Sequence, residues 1–264
     1  MAEGNLKKMR TAYANPIEYS LDLGGEIIRM NDLVGSEIKL QYNGIINCID
    51  CGVVTKKSFG QGFCYKCFVS SPMNSECIIR PELCEAHLGK GRDVKWEQEH
   101  HNTPHVVYLA FTDKTKVGVT RIDQVPTRWI DQGAFKAIIL AEMPYRQLAG
   151  ALEVAMKEHY NDKTNWRSML KNEVDENIDP TDAKEEALEL LPPEFEEFYS
   201  DNDTVYEFNY PVIEFPTKVN SINLDKLNEV EGKLMGIKGQ YLLFSNNRVL
   251  NIRNHSGYFV KLEY

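Results

Sequence analysis

The sequence contains no cysteine after residue 84, no long apolar run and no excess of basic residues. Disulfide frameworks form in oxidising compartments and spread along a chain, so six cysteines confined to residues 48–84 argue against one. A membrane-spanning helix needs about 18 or more consecutive apolar residues, and no such run is present. Residues 1–10 are charged and contain no apolar core of a secretory signal. These absences predict a cytoplasmic protein with no membrane association.

The net charge of −9 over 264 residues argues against a surface that binds nucleic acid indiscriminately. The charge is unevenly distributed, because residues 173–203 contain 13 acidic residues and one basic residue, Lys184. This segment alone carries −12 and leaves +3 for the rest of the chain. A basic face therefore remains available to a partner, and the acidic segment itself could engage a basic protein.

The order of apolar runs and turn residues predicts an α+β protein built from five segments. Short apolar runs between glycines predict strands in residues 1–47, and a cysteine- and histidine-rich block with little helical periodicity occupies residues 48–104. Residues 105–172 predict a compact β-β-α-β-α unit. The acidic residues 173–203 predict either a broken helix packed across the core or a linker. Residues 204–264 return to strand patterns, which favour a small barrel or curled sheet completed by the N-terminal strands.

Two CxxC pairs carry the clearest chemical signal in the sequence. Cys48 and Cys51 are followed after twelve residues by Cys64 and Cys67, and Gly52 follows the first pair directly. The two-residue gap lets both thiolates of a pair reach one ion, and two pairs complete the tetrahedral shell that zinc prefers. The pattern predicts a zinc-ribbon-like block with a structural zinc, rather than free core cysteines or a redox centre.

A second set of metal ligands is predicted from Cys77, Cys84, His87 and His101, with His100 as the alternative fourth ligand. The spacing is irregular, so a reading in which the cysteines pack in the core and the paired histidines lie at the surface stays open. A closed four-ligand shell leaves no position for a substrate, so one or both zinc ions would be structural.

A third pattern lies in the β-β-α-β-α unit and consists of Val107-Tyr108-Leu109, Lys116-Val117-Gly118, Arg128 and Glu153. It resembles the GIY-YIG nuclease superfamily, in which two hairpin strands carry the name-giving tripeptides, an arginine follows on the next helix and a glutamate lies on a later helix. The chain also resembles an uncharacterised bacterial family that combines this unit with a zinc-binding block.

This resemblance implies phosphodiester hydrolysis with a divalent cation. Tyr108 would position or deprotonate the attacking water, Arg128 would hold phosphate oxygens and Glu153 would hold Mg²⁺ or Mn²⁺. Lys116 stands where the second tyrosine usually lies, as in one phage-associated branch, and could contact phosphate. Arg121 could supply a further phosphate contact.

Each of these residues also has a plain structural reading. Tyr108 suits a core strand, Glu153 suits a solvated helix position paired with Lys157, and Arg128 could stack beside Trp129. Residues 162–167 combine basic and aromatic side chains, which suits either a nucleic-acid strand or a helix start.

Three functional hypotheses follow from the sequence. The first is a zinc-stabilised enzyme that cleaves DNA or RNA, and the second is a binding module that keeps the fold without catalysis. The third is an interaction protein whose acidic segment contacts a basic partner.

Overall fold

The computed structural model describes residues 1–160 and 165–264. These residues form two compact units, the first from residues 1–69, 170–172 and 208–264, and the second from residues 70–169 and 173–207. Helices and several sheets are both present, which confirms the predicted α+β class. Within the described residues, no helix combines the length and the apolar character that crossing a membrane requires.

The described residues contain fifteen strands. They are β1 Ala2–Asn5, β2 Arg10–Ala12, β3 Glu18–Leu23, β4 Glu26–Arg29, β5 Glu37–Asn47, β6 Val54–Thr55, β7 His105–Phe111, β8 Thr115–Arg121, β9 Lys136–Met143, β10 Tyr206–Glu207, β11 Asn220–Ser221, β12 Glu229–Lys238, β13 Tyr241–Phe244, β14 Arg248–Asn251 and β15 Tyr258–Glu263.

The α-helices of the described residues are α1 Tyr65–Ser70, α2 Val94–His101, α3 Thr127–Asp131, α4 Arg146–Met156, α5 Trp166–Leu170 and α6 Pro180–Glu189. The weak periodicity of the cysteine-rich block did not predict α1 and α2. Asp93 begins α2 by accepting a hydrogen bond from the Trp96 N–H at 3.0 Å, and such a cap stabilises a short helix that has little apolar patterning.

Strands from both ends of the chain share the large sheet of the first unit. Its order is β1-β15-β5-β12-β13-β14-β11, with β6 paired to β5. Ala2 lies opposite Leu262 in the antiparallel β1–β15 ladder, so the two ends of the chain are neighbours. A separate three-stranded sheet has the order β2-β3-β4.

The second unit is built on an antiparallel sheet of order β10-β9-β7-β8. All seven residues of the central strand β7 are buried, as the unbroken apolar run of residues 106–111 predicts. α4 covers the sheet with Ala149, Leu152 and Met156, which belong to one core cluster with Val107 and Leu109. The sequence β7-β8-α3-β9-α4 has the predicted β-β-α-β-α order.

The acidic segment takes the helical form of its two predicted alternatives. α6 and a 3-10 turn, Pro193–Phe198, place Ala187, Leu191 and Phe195 in the core cluster of the second unit. Lys184 is 1% exposed and its Nζ donates to Asp203 Oδ1 at 2.8 Å, so the one cation of the segment holds its C-terminal end.

Candidate functional site

The four thiols of the two CxxC pairs form a compact group in the first unit, here called the four-cysteine cluster. The sulfur atoms of Cys48, Cys51, Cys64 and Cys67 all lie within 4.8 Å of one another, and all but Cys51 are buried. Two sulfurs bound to one tetrahedral zinc at about 2.3 Å stand about 3.8 Å apart. The Cys51 and Cys64 sulfurs are 3.9 Å apart, which fits that geometry.

Local turns build the four-cysteine cluster. The Gly52 N–H donates to the Cys48 carbonyl at 2.9 Å, and its φ of +72° is a conformation that glycine adopts without strain. The second pair enters through a tight hairpin in which Phe59 and Phe63 exchange backbone hydrogen bonds of 2.9 Å. Cys67 lies in α1, so a turn and a helix start present the two pairs to each other.

The backbone around Cys48 favours the thiolate that zinc binding requires. Burial raises the pKa of this thiol, but hydrogen bonds from the backbone near Cys51, Cys64 and Asp50 outweigh burial and lower the pKa to about 7. Burial raises the pKa of Cys67, and hydrogen bonding with Cys51 and other neighbours raises it further.

A second cluster of potential ligands lies in the second unit and corrects the predicted set. It consists of Cys77, Cys84, Glu97 and His101, all buried, with ligand atoms within 4.8 Å of one another. Glu97 therefore stands in place of the predicted His87, and His101 rather than its alternative His100 is the histidine of the cluster. Glu97 and His101 are four residues apart on α2 and share one face of that helix, a spacing that the sequence could have offered.

The two histidines that lie outside this cluster have other contacts. The His87 ring stacks on Tyr145 with the ring centroids 4.7 Å apart and an angle of 11° between the planes. The His100 ring stacks on Trp96 at 4.0 Å, and its Nδ1 lies 2.7 Å from the Trp96 carbonyl oxygen. Consecutive residues on a helix point about 100° apart, so His100 cannot face the cluster that His101 joins.

The β7–β8 hairpin brings together the two tripeptides of the third pattern. Tyr108 lies directly opposite Gly118 in the antiparallel ladder and is 1% exposed. Its hydroxyl accepts a hydrogen bond from Gln132 Nε2 at 3.0 Å. Burial raises the pKa of Tyr108, although the Arg128 charge and the Gln132 hydrogen bond oppose the rise. The hydroxyl therefore stays protonated at neutral pH.

Arg128 and Glu153 act electrostatically on both strands of this hairpin, at Tyr108 on β7 and at Lys116 on β8. Lys116 is 8% exposed, and burial lowers its pKa to about 8, with Arg128 adding to the effect and Glu153 opposing it. The charges of Arg128 and Glu153 also act on Tyr108. We call Tyr108, Lys116, Arg128 and Glu153, together with Gln132 and Arg146, the polar cluster.

Glu153 differs from the solvated residue that its helix position suggested. It forms the expected ion pair with Lys157, with Oε2 and Nζ 3.5 Å apart, but it is only 9% exposed. Burial raises its pKa, while Lys157 and Arg146 oppose the rise. Among the described residues, its buried Oε2 makes no hydrogen bond closer than this 3.5 Å contact with Lys157. A buried carboxylate oxygen paired only at this distance could also bind a metal cation.

Two members of the polar cluster were not anticipated from the sequence. Arg146 begins α4 seven residues before Glu153, so both lie on one side of the helix, and this spacing was the signal available. Gln132 follows Arg128 by four residues at the end of α3, where both reach the same side.

Arg121 and Arg167, which the sequence offered as nucleic-acid contacts, have local partners in the structure. Arg121 Nε lies 3.2 Å from Asp123 Oδ1, so it pairs locally at the end of β8. The Arg167 guanidinium stacks 4.3 Å from the centre of the Trp166 ring, whereas residues 162–164 of the same predicted contact lie outside the described residues.

Comparison with known proteins places the chain without assigning it an activity. A family model described as Protein of unknown function (DUF2797) matches residues 35–260, a span that contains both cysteine clusters and the polar cluster. No curated protein and no solved structure matches the chain. The resemblance to GIY-YIG nucleases therefore stays a prediction from the residues. Because the matched span covers most of the sequence, the chain belongs to the DUF2797 family of proteins of unknown function.

Proposed function

We propose that the protein acts on DNA or RNA through the polar cluster and hydrolyses phosphodiester bonds with Mg²⁺ or Mn²⁺. The observation that carries the proposal is geometric. Gln132, at the end of the helix that carries Arg128, donates to the Tyr108 hydroxyl at 3.0 Å, and α4, which carries the buried Glu153, packs against the β7–β8 hairpin. In this arrangement the charges of Arg128 and Glu153 both act on Tyr108 and on Lys116. Buried titratable groups with shifted pKa values gather more often at functional sites than elsewhere. The resemblance to GIY-YIG nucleases supports the same assignment.

Glu153 is the residue that would hold the divalent cation. Its buried Oε2 faces the Lys157 ammonium at 3.5 Å and makes no closer hydrogen bond among the described residues, so a divalent cation would replace or join that weak ion pair. A bound Mg²⁺ or Mn²⁺ would supply Lewis-acid stabilisation of charge on the phosphate oxygens. Burial raises the pKa of this carboxyl because it disfavours the charged carboxylate, and a bound cation would offset that effect.

The remaining members of the polar cluster would bind phosphate oxygens and position the attacking water. Arg128 can hold two phosphate oxygens with its planar guanidinium, and Lys116 contributes a point charge beside it. The Tyr108 hydroxyl is held by Gln132 and its pKa is raised, so it would orient a water molecule rather than remove its proton.

The proposal also assigns structural zinc to the four-cysteine cluster. Four thiols within one ligand shell, with Cys48 biased toward the thiolate, form a closed site that has no position for a substrate. Zinc would stabilise the irregular segment that holds the two CxxC pairs, because this segment buries little apolar surface of its own.

A second candidate function is nucleic-acid binding without cleavage. It is favoured by the burial of Tyr108, which is 1% exposed and has its hydroxyl engaged by Gln132. Under this alternative the basic members of the polar cluster contact phosphate and no reaction follows.

A cleavage assay separates the two functions. The purified protein is incubated with single-stranded, duplex and branched DNA and RNA in Mg²⁺ or Mn²⁺, and binding is measured on the same substrates. We expect cleavage that falls by orders of magnitude in Glu153→Gln and in Arg128→Ala. Glu158→Gln, five residues further on and exposed, is the matched control and should cleave as the parent does. Binding without cleavage would favour the second candidate, and absence of both binding and cleavage would remove both.

A further inference from the structure

We propose that Cys77, Cys84, Glu97 and His101 bind a zinc ion with Glu97 as the fourth ligand, and that this centre fixes the start of α4. The inference goes beyond the proposed function, because it concerns a metal site and a helix anchor that exist whether or not the protein cleaves nucleic acid.

The distances in the cluster are those of ligands around a common centre. The Nδ1 atom of His101 lies 3.7 Å from Cys77 Sγ and 3.7 Å from Glu97 Oε2. Tetrahedral zinc separates a nitrogen and a sulfur ligand by about 3.6 Å, and a nitrogen and an oxygen ligand by about 3.3 Å. A hydrogen bond between an imidazole and a carboxylate would instead bring the two atoms to about 2.7–3.2 Å. The spacing therefore favours a shared ion over a direct bond between Glu97 and His101.

Glu97 is held so that one carboxylate oxygen is left for the ion. Its Oε1 accepts hydrogen bonds from the Arg92 N–H at 2.9 Å and from Ser75 Oγ at 3.3 Å. Gly91 passes so close to the carboxylate that a Cβ at that position would overlap Glu97. The outer hydrogen bonds and the close backbone orient the carboxylate, as partners of metal ligands commonly do, and they leave Oε2 facing His101.

With zinc bound, the ion and the neighbouring arginine together balance the charges of the four ligands. Two thiolates and a carboxylate carry −3, so a zinc ion and neutral His101 leave −1. Arg146 is half-buried, donates to the Cys77 carbonyl through Nε at 2.9 Å and acts electrostatically on both Cys77 and Cys84, so it supplies the compensating positive charge. A bound cation would therefore let the three acidic ligands ionise in this buried site without a large unpaired charge.

The same arginine connects this centre to α4. Arg146 is the first residue of the helix, and its Nε and Nη2 donate to the carbonyls of Cys77 and Ile78 at 2.9 and 3.1 Å. One turn later, Gly150 lies against the backbone of Pro81 and Glu82 with no room for a Cβ. The loop between the two cysteines thus forms the surface on which α4 begins, and a metal that ties Cys77 to Cys84 would hold that surface in place.

Metal analysis of purified full-length variants tests the site. Elemental analysis should find two zinc ions per parent chain and one per Glu97→Gln chain, a change that keeps the size of the side chain and removes a ligand. Changes to outer partners of metal ligands already weaken metal binding about 10–100-fold, so loss of a ligand should weaken the second site more than about 100-fold. His87→Ala is the matched control and should retain two ions.

Cobalt binding gives a readout that does not depend on the stability of the variant. Titration of the metal-free parent with Co²⁺ should show two classes of thiolate absorption, one from four sulfurs and one from two. Hydrogen exchange of the α4 amides should rise when the second ion is removed. A parent chain with one zinc and one cobalt class, or a His87→Ala chain that loses the ion that Glu97→Gln keeps, would overturn the assignment. These outcomes are independent of cleavage, so they leave the proposed function to its own assay.

Discussion

The ring of Tyr108 lies against the backbone of Gly118, directly across the β7–β8 hairpin. A Cβ built on Gly118 would stand 2.6 Å from the tyrosine hydroxyl oxygen and 2.7 Å from the ring carbon Cζ, closer than nonbonded atoms approach. The tyrosine ring and the glycine are therefore a matched pair, in which the absence of a side chain at one position makes room for the end of the ring at the other.

Gly118→Ala should accordingly displace the Tyr108 ring and destabilise the protein. Forcing a methyl into a packed core costs about 1–3 kcal/mol, which urea unfolding measures. Tyr108→Phe removes the hydroxyl but keeps Cζ, so adding it to Gly118→Ala should recover little of the loss. Tyr108→Leu removes both atoms, so Gly118→Ala should cost less in the Tyr108→Leu background than in the parent. An equal cost in the two backgrounds would show that the tyrosine ring does not make the contact.

The four-cysteine cluster predicts zinc in the first unit that survives loss of the second cluster. Cys64→Ser should lower the zinc content by one ion per chain and reduce the melting temperature, because a structural zinc contributes directly to folding. Elemental analysis and thermal unfolding measure the two effects. A folded parent protein in which Cys48, Cys51, Cys64 and Cys67 all react freely with a thiol reagent and hold no metal would contradict the prediction.

We expect nucleic acid to bind more tightly when the negative charge of α6 is removed. Glu185, Glu186 and Glu189 are exposed on α6, which packs against β9 of the sheet that carries Tyr108. Changing all three to Gln should increase affinity for nucleic acid, most strongly at low salt, because about 0.1 M salt screens exposed charges beyond about 10 Å. Fluorescence anisotropy across a salt series measures the effect.

The matched control changes the same amount of charge on the first unit, at Glu3, Glu18 and Glu214, which are also exposed. A similar gain in the control would mean that net charge, rather than the position of α6, governs affinity. No gain in either variant would leave the acidic face for a basic protein partner.

The buried amine of Lys238 lowers the stability of the protein by an amount that depends on pH. It is fully buried between the rings of Tyr210 and Phe215, and its Nζ donates to Asn172 Oδ1 at 2.7 Å. Burial lowers its pKa to about 7, whereas the unfolded chain titrates near the usual 10.5. Between these values the unfolded state binds more protons, so this group makes stability rise as pH rises from about 7 to about 10.

Lys238→Met should therefore stabilise the protein most near pH 7, on the order of a few kcal/mol, and the gain should shrink toward pH 10. Urea unfolding at several pH values measures the difference between variant and parent. Lys233→Met, an exposed change on the same strand, is the control and should show no such trend. A stabilisation by Lys238→Met that is the same at every pH would mean that packing, and not the buried charge, sets the effect.

The sequence by itself determined the features that depend on local spacing. The two-residue gaps of the CxxC pairs and Gly52 placed four sulfurs in one cluster, since each pair is shaped by its own turn. The apolar run of β7 and the periodicity of α4 likewise predicted the order of elements in the second unit, because strand and helix patterns are read over a few residues.

Only the tertiary structure decided which residues complete a site and which charges are buried. His87 is three residues from Cys84, yet Glu97 joins the second cluster, because a helix with a capped start turns it and His101 toward the cysteines. The sequence left Glu153 either as a metal ligand or as a solvated residue beside Lys157, and packing of α4 on the sheet buries it while keeping the Lys157 pair. Contacts between residues distant in the sequence set these outcomes, and local sequence patterns do not specify how distant segments pack together.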